Sequence, residues 1–185
     1  MNERDDEIRL SLRAIRVLNG RRSGVAHAQI EGAIREEESV EDEVRGEAVA
    51  YWLLKTEPDA YSFEDLEREG RTQWNGVRNY EARNNLRAMS PGDQCFIYHT
   101  VGPREIVGIA EVAAAPYADP ADADGRWICV DVRPLRRLRR PVALGRIKED
   151  VTLRGMALVR NSRLSVSPVT SKEWKRILVA AESER

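Results

Sequence analysis

The chain lacks most of the residues from which enzyme signatures are built. Its 185 residues include two histidines and two cysteines. It contains no Gly-rich phosphate loop, no Gly-x-Gly-x-x-Gly turn, no Gly-x-Ser-x-Gly elbow, no His-Glu-x-x-His and no paired Cys-x-x-Cys. It has no apolar run of the ~18 residues that suggest a membrane span. Its opening MNERDDEIRL is acidic, unlike the basic lead of a secretory signal. Cys95 and Cys129 each lie in an apolar, β-rich stretch (QCFIYH and WICVDV) without metal-ligand spacing. They read as small core residues of a cytoplasmic protein rather than a zinc site. No metal, cofactor or membrane partner is expected, and a monomer is expected.

Charge is informative once it is located. Residues 1–48 hold 12 acids against 8 arginines, whereas residues 49–185 hold 22 basic residues against 19 acids. Between Arg126 and Arg163 the bias sharpens to 11 basic residues against three acids. Such a stripe attracts phosphates by Coulomb attraction and counterion release even on a neutral protein. Arg136, Arg137, Arg139, Arg140 and Arg160 are the expected phosphate contacts. A solvated Arg-rich surface with no polyanion partner is the alternative reading of charge alone.

Residues 1–48 read as a polar appendage. Ile8, Leu12 and Ile15 have helical spacing, but Ile8, Leu10 and Leu12 alternate, so the period is ambiguous. The run EEESVEDEVRGE has the composition of a solvated linker. From Val49 the pattern changes. AYWLLKT is a strand stopped by Pro58. Ser62 and Asp65 form a capping-box pattern that opens a helix over 63–69, ended by Gly70. VRNYEARNNLRAM is expected to be a second helix with Val77, Tyr80, Leu86 and Met89 inward. DQCFIYH, EIVGIAEVAAA and RWICVDVRPL are strands separated by turns, ALGRIKEDVTLRGMAL gives short helical turns, and VRNSRLSVSPVT is irregular, then extended. Thr170 and Glu173 cap a C-terminal helix carrying Trp174, Ile177 and Leu178 on one face. Short strands interrupted by short helices indicate an α+β domain on a compact, mostly antiparallel barrel.

Binding signals are stronger than catalytic ones. Trp74 precedes the turn pair Asn75-Gly76, and Arg78, Asn79 and Tyr80 follow. An indole beside a polar turn offers a stacking plate edged by donors and acceptors, which suits an extruded base. Trp74 as plain core is an equal reading of the spacing. Arg160, Ser162, Arg163 and Ser165 form a loop able to clamp phosphates or sugars, or a solvent-exposed loop. His99, beside Tyr98, reads as a hydrogen-bonding wall residue rather than a general base. Lys55, Thr56 and Glu57 hold a potential base and nucleophile, but neighbours on a strand point to opposite faces and cannot all converge without a bend.

The segments YWLLKTEPDAYSFEDL, WNGVRNYEARNNLRAMSPGDQCFIYHT, IVGIAEV and LVRNSRLSVSPVTSKEW, in that order, resemble the EVE domain over roughly residues 50–180. The resemblance implies a PUA-like compact β-barrel of about five to six strands, with short peripheral helices and a C-terminal helix, related to the YTH readers of methylated RNA. It implies a pocket that accepts a flipped modified base, with 5-methylcytosine or 5-hydroxymethylcytosine in DNA as the usual proposals and modified RNA as the rival. By motif, Trp74, Asn75 and Gly76 would form the stacking wall and its edge, and Lys55, Thr56 and Glu57 the floor. Tyr98, His99 and Thr100 would supply the opposite wall. Arg163, Leu164, Ser165 and Val166 would close the pocket. Asn75 stands where Asp is common and Thr100 where Ser is common. Asn in place of Asp adds a donor to an acceptor-only edge.

The resemblance also implies a non-catalytic reader. The alternative is a small ASCH-like amidohydrolase acting on modified nucleosides, with Lys55 and Glu57 as its candidates. The family begins near the WLLKTEP strand, so residues 1–48 are an acidic extension to an EVE domain over 49–185. Either that extension reflects a start called too early, with Val44 or Val49 as alternative initiation sites, or it is a disordered tail competing with nucleic acid for the basic stripe.

Overall fold

The computed structural model describes residues 49–183; the expectations for residues 1–48 lie outside the described residues. In chain order the elements are β1 (Tyr51–Thr56), α1 (Phe63–Glu69), β2 (Thr72–Trp74), α2 (Tyr80–Arg87), β3 (Gln94–His99) and β4 (Glu105–Val112). There follow β5 (Tyr117–Ala118), β6 (Ile128–Ala143), α3 (Leu144–Glu149), α4 (Ala157–Arg160), β7 (Val166–Val169) and α5 (Ser171–Glu182).

The strands form one mixed sheet in the order β2-β6-β4-β3-β1-β7, with β5 paired to β6. β1 runs parallel to β3 and the other pairings are antiparallel. The sheet curls into a half-barrel with helices around it, the expected α+β, PUA-like class.

β1 and β3 are apolar at nearly every position because both faces of the sheet are covered. Trp52, Leu54, Cys95 and Ile97 pack with Phe63, Leu66 and Leu86 on one side. Leu53, Phe96 and Tyr98 pack with Ile147, Trp174 and Ile177 on the other. There the Trp174 ring stacks on Phe96 at 3.8 Å between centroids and on Tyr51 at 4.4 Å.

Helix boundaries follow their caps. Ser62 and Asp65 form the expected capping box of α1, and Gly70 closes it in the left-handed conformation. Thr170 and Glu173 do the same for the start of α5. The second helix departs from expectation. Asn79 accepts the Ala82 N–H at 2.9 Å and caps α2, so helical geometry begins at Tyr80. The buried stripe of α2 is Ala82 and Leu86, and Tyr80 is 60% exposed rather than inward.

β6 extends for 16 residues, well beyond the expected RWICVDVRPL, and pairs with β2, β4 and β5 along its length. Register shifts at Ile106/Gly108 and Ile109/Ala110 bend the β4–β6 ladder. At Gly108 the absent side chain admits the ring of Phe63, whose Cζ lies 2.4 Å from where a Cβ would stand. That contact seats α1 against the sheet.

Candidate nucleic-acid interface

β2 ends on Trp74, opposite Val130 of β6. The indole is 8% exposed and belongs to the core with Val77 and Leu164, yet it also walls a cleft of about 630 Å³. The same side chain is thus part of the core and part of the cleft lining. The next turn requires Gly76, whose φ of +71° costs a glycine little and other residues more.

Asp119 holds this turn in place. Its buried carboxylate accepts the Gly76 N–H at 3.1 Å, the Arg78 guanidinium at 2.7 Å and the Ala121 N–H at 2.9 Å. Burial alone would raise its pKa. The hydrogen bonds from Arg78, Ala121 and Gly76 outweigh that, so the carboxyl lies below its ordinary value and stays charged.

On the other side of the cleft, Lys55 and Thr56 come from the end of β1 and Ser165 from the approach to β7. The Lys55 ammonium donates to the carbonyls of Ser162 (3.1 Å) and Asn161 (3.4 Å), while its backbone N–H donates to Ser165 (2.9 Å). Partial burial lowers the Lys55 pKa. Thr56 Oγ1 donates to the Tyr61 carbonyl at 2.7 Å.

Of the residues marked from sequence, the cleft gathers Lys55, Thr56, Trp74, Asn75, Gly76, Arg78 and Ser165. Glu57 is exposed and outside it; its carbonyl closes a turn by accepting the N–H groups of Ala60 and Tyr61. Asn79 is spent on capping α2. Tyr98, Leu164 and Val166 are core residues. Thr100 is tied to the end of β1 by a hydroxyl donation to Thr56 O at 3.2 Å.

His99 does not wall the cleft either. Its Nε2 accepts the Phe63 N–H at 3.2 Å, at the first turn of α1. Burial, with Arg137 adding to it, lowers its pKa and favours the neutral ring that can accept. Arg163 is exposed beside the cleft loop and is not among the lining residues.

Other lining residues were not marked from sequence: Tyr61, Arg71, Thr72, Gln73 and Val77. Arg71 forks onto Asp131 at 2.6 and 2.9 Å, and the Tyr117 hydroxyl donates to the other oxygen of Asp131 at 2.6 Å. Thr72 and Gln73 share β2 with Trp74, so their nearness to the marked indole was the available signal. Arg71 and Asp131 are 60 residues apart, and nothing local announces their pairing.

The basic stripe is partly neutralised. Arg137 pairs with Glu67 at 2.5 Å, and Arg139 lies 3.6 Å from Glu182. Arg140 donates to the Ser183 carbonyl at 3.0 Å. Arg136 and Arg160 are exposed and form no ion pair among the described residues.

A curled mixed sheet with a Trp-walled polar cleft at its edge defines a PUA-like domain. The EVE domain model matches residues 50–180, and the chain belongs to the EVE domain family. It is 30% identical to human thymocyte nuclear protein 1 across 88% of this chain and 87% of that protein. A crystal structure from Agrobacterium tumefaciens is 42% identical, with a TM-score of 0.71, covering 72% of this chain and 94% of that one. The crystal structure of human THYN1 protein in complex with 5-methylcytosine-containing DNA is 31% identical, with a TM-score of 0.69. It covers 74% of this chain and 99% of that one.

Proposed function

We propose that this protein binds nucleic acid carrying a modified base and receives that base, extruded from its stack, in the Trp74 cleft without transforming it. The observation that carries this reading is the cleft itself. An indole wall is set in the core, a turn is locked by Asp119, and polar groups from Gln73, Asn75, Thr56 and Ser165 surround it. A stacked base needs such a plate for its face and hydrogen-bonding groups for its edges. The relative solved with 5-methylcytosine-containing DNA supports DNA as the polymer and a 5-substituted cytosine as the base. The backbone would be held by exposed cations, Arg136, Arg160 and Arg163 among them, in a salt-dependent way.

Burying one methyl group contributes about 1 kcal/mol, roughly a fivefold preference, so larger discrimination must come from the polar edge. Titration of the full chain by fluorescence anisotropy tests the reading, using matched DNA and RNA oligonucleotides with cytosine, 5-methylcytosine or 5-hydroxymethylcytosine. Trp74→Ala should reduce the preference for the modified oligonucleotide to unity. A folded Trp74→Ala protein with undiminished preference would refute the assignment.

The amidohydrolase reading draws on one observation, the lowered pKa of Lys55, which suits a general base. Against it, the ammonium already donates to two carbonyls and Glu57 lies outside the cleft. Chromatography of modified nucleosides incubated with the protein separates the two: product that disappears with Lys55→Met would establish the enzyme.

A further inference from the structure

Next to the cleft, and outside its Trp74 wall, two aromatic rings and two guanidiniums meet. The rings of Tyr80 and Trp127 lie 5.2 Å apart at 34°. Arg83 stands 4.9 Å from the Tyr80 ring centroid and 5.9 Å from that of Trp127, and Arg78 stands 5.6 Å from Trp127. Arg78 also lines the cleft, so the cluster begins where the cleft ends.

Packing alone does not account for this arrangement. Tyr80 touches both Trp127 and Arg83 yet keeps 60% of its surface exposed. The guanidinium of Arg83 donates to the Asn84 side-chain oxygen and to the Arg126 carbonyl, and it forms no ion pair among the described residues. Arg78, in contrast, is paired with Asp119. The nearby acids are engaged: Asp122 accepts the Arg126 and Trp127 N–H groups, and Asp124 pairs with Arg126. Trp127 is clipped by its backbone on both sides, donating to Asp122 at 2.8 Å and accepting from Asp119 N at 2.9 Å. The same loop therefore sets the cleft turn, through Asp119, and the position of Trp127.

We propose that Tyr80, Trp127 and Arg83 form a stacking platform for an unpaired base next to the extruded one in the strand. The inference rests on the base-binding reading of the cleft. Opening a strand leaves flanking bases without a stacking partner. Aromatic faces with a guanidinium outside any ion pair replace that stacking and attract the adjoining phosphate. Every base has a π-face, so the platform adds affinity without adding preference. Cleft and platform thereby divide the work, one selecting the base and the other holding the strand.

The test uses the full chain and anisotropy on matched cytosine and 5-methylcytosine oligonucleotides, with and without an abasic site on either side of the target base. Tyr80→Ala, an exposed truncation, should weaken binding to both oligonucleotides about tenfold and leave their ratio unchanged. Arg83→Ala should act in the same direction. On the oligonucleotide lacking the stacked neighbour, wild type should weaken by a similar factor and Tyr80→Ala should add no further loss. Binding within about twofold of wild type for both variants would overturn the platform. So would a Tyr80→Ala loss that persists undiminished on both abasic-flank oligonucleotides. Trp74→Ala reports separately on the cleft. If its modified-to-unmodified ratio matches wild type while the Tyr80 coupling survives, selection by Trp74 fails, and stacking on Tyr80 stands without it.

Discussion

One oxygen of Asp119 binds the Arg78 guanidinium at 2.7 Å, and the Asp119 side chain is fully shielded from solvent while that of Arg78 is 42% exposed. The same oxygen holds Gly76, so the geometry of the cleft turn depends on a single buried anion. Asp119→Ala would remove the acceptor of the Gly76 and Ala121 N–H groups and the partner of Arg78. All three are exposed residues that water can reach, so each bond counts at its net worth of about 0.5–1.5 kcal/mol. We expect a stability loss of about 2–3 kcal/mol by urea denaturation, together with weakened binding of every oligonucleotide. A variant as stable as wild type would show that the turn holds itself.

The pH dependence of stability follows from His99 and Asp119, both with folded pKa values below their ordinary ones. Such a group contributes stability above its unfolded pKa and loses it as pH falls toward the folded value. For His99 the decline begins below about pH 6.5; for Asp119 it begins below about pH 3.9. Protonating His99 replaces the acceptor for the Phe63 N–H with a donor, which frays the start of α1. Denaturation midpoints should fall between pH 7 and pH 5 in wild type and stay flatter in His99→Gln, whose amide oxygen can still accept. Parallel curves for the two proteins would contradict this role for His99.

Gly108 illustrates a constraint invisible to composition. A Cβ there would lie 2.4–2.6 Å from three atoms of the Phe63 ring, which is itself fully buried and cannot swing away. Gly108→Ala should destabilise by about 1–3 kcal/mol, the usual range for overpacking. Gly108→Ala combined with Phe63→Leu should recover part of that loss if the contact is its source. Thermal melts of the two single variants and the double variant measure the coupling.

The sequence revealed these features unevenly, for physical reasons. Caps and turns are local chemistry, so α1, the start of α5 and the Trp74-Asn75-Gly76 turn could be read directly from adjacent residues. A helix begun at Val77 would carry Tyr80 inward, three residues on and on the same face as Val77. The Asn79 cap starts the helix later and turns Tyr80 outward. The EVE resemblance implies Tyr98 as a pocket wall, but β3 is covered on both faces and the ring packs against the α5 side. Asp119 and Trp127 carried no signal. The loop that holds them reaches the cleft through hydrogen bonds to Gly76 and Arg78, more than 40 residues away.

The arginines of β6 and of the end of α4 should separate into two classes. Arg137 is held by Glu67 and lies 5.8 Å from the Phe63 ring centroid, so its first role is to pin α1 to the sheet. Arg136 and Arg160 are exposed and form no ion pair among the described residues, which leaves their charge available to phosphate. Each phosphate contact removed lowers the slope of log affinity against log salt by about 0.9 on duplex DNA. Arg136→Ala and Arg160→Ala should therefore flatten the salt dependence by about that much each while leaving the melting temperature near wild type. Arg137→Ala should lower the melting temperature and change the slope little, because a guanidinium paired with Glu67 releases few counterions on binding. Affinity titrations at four salt concentrations, read beside thermal melts, distinguish the classes. Equal slopes for all three variants and wild type would show that these arginines do not meet the backbone.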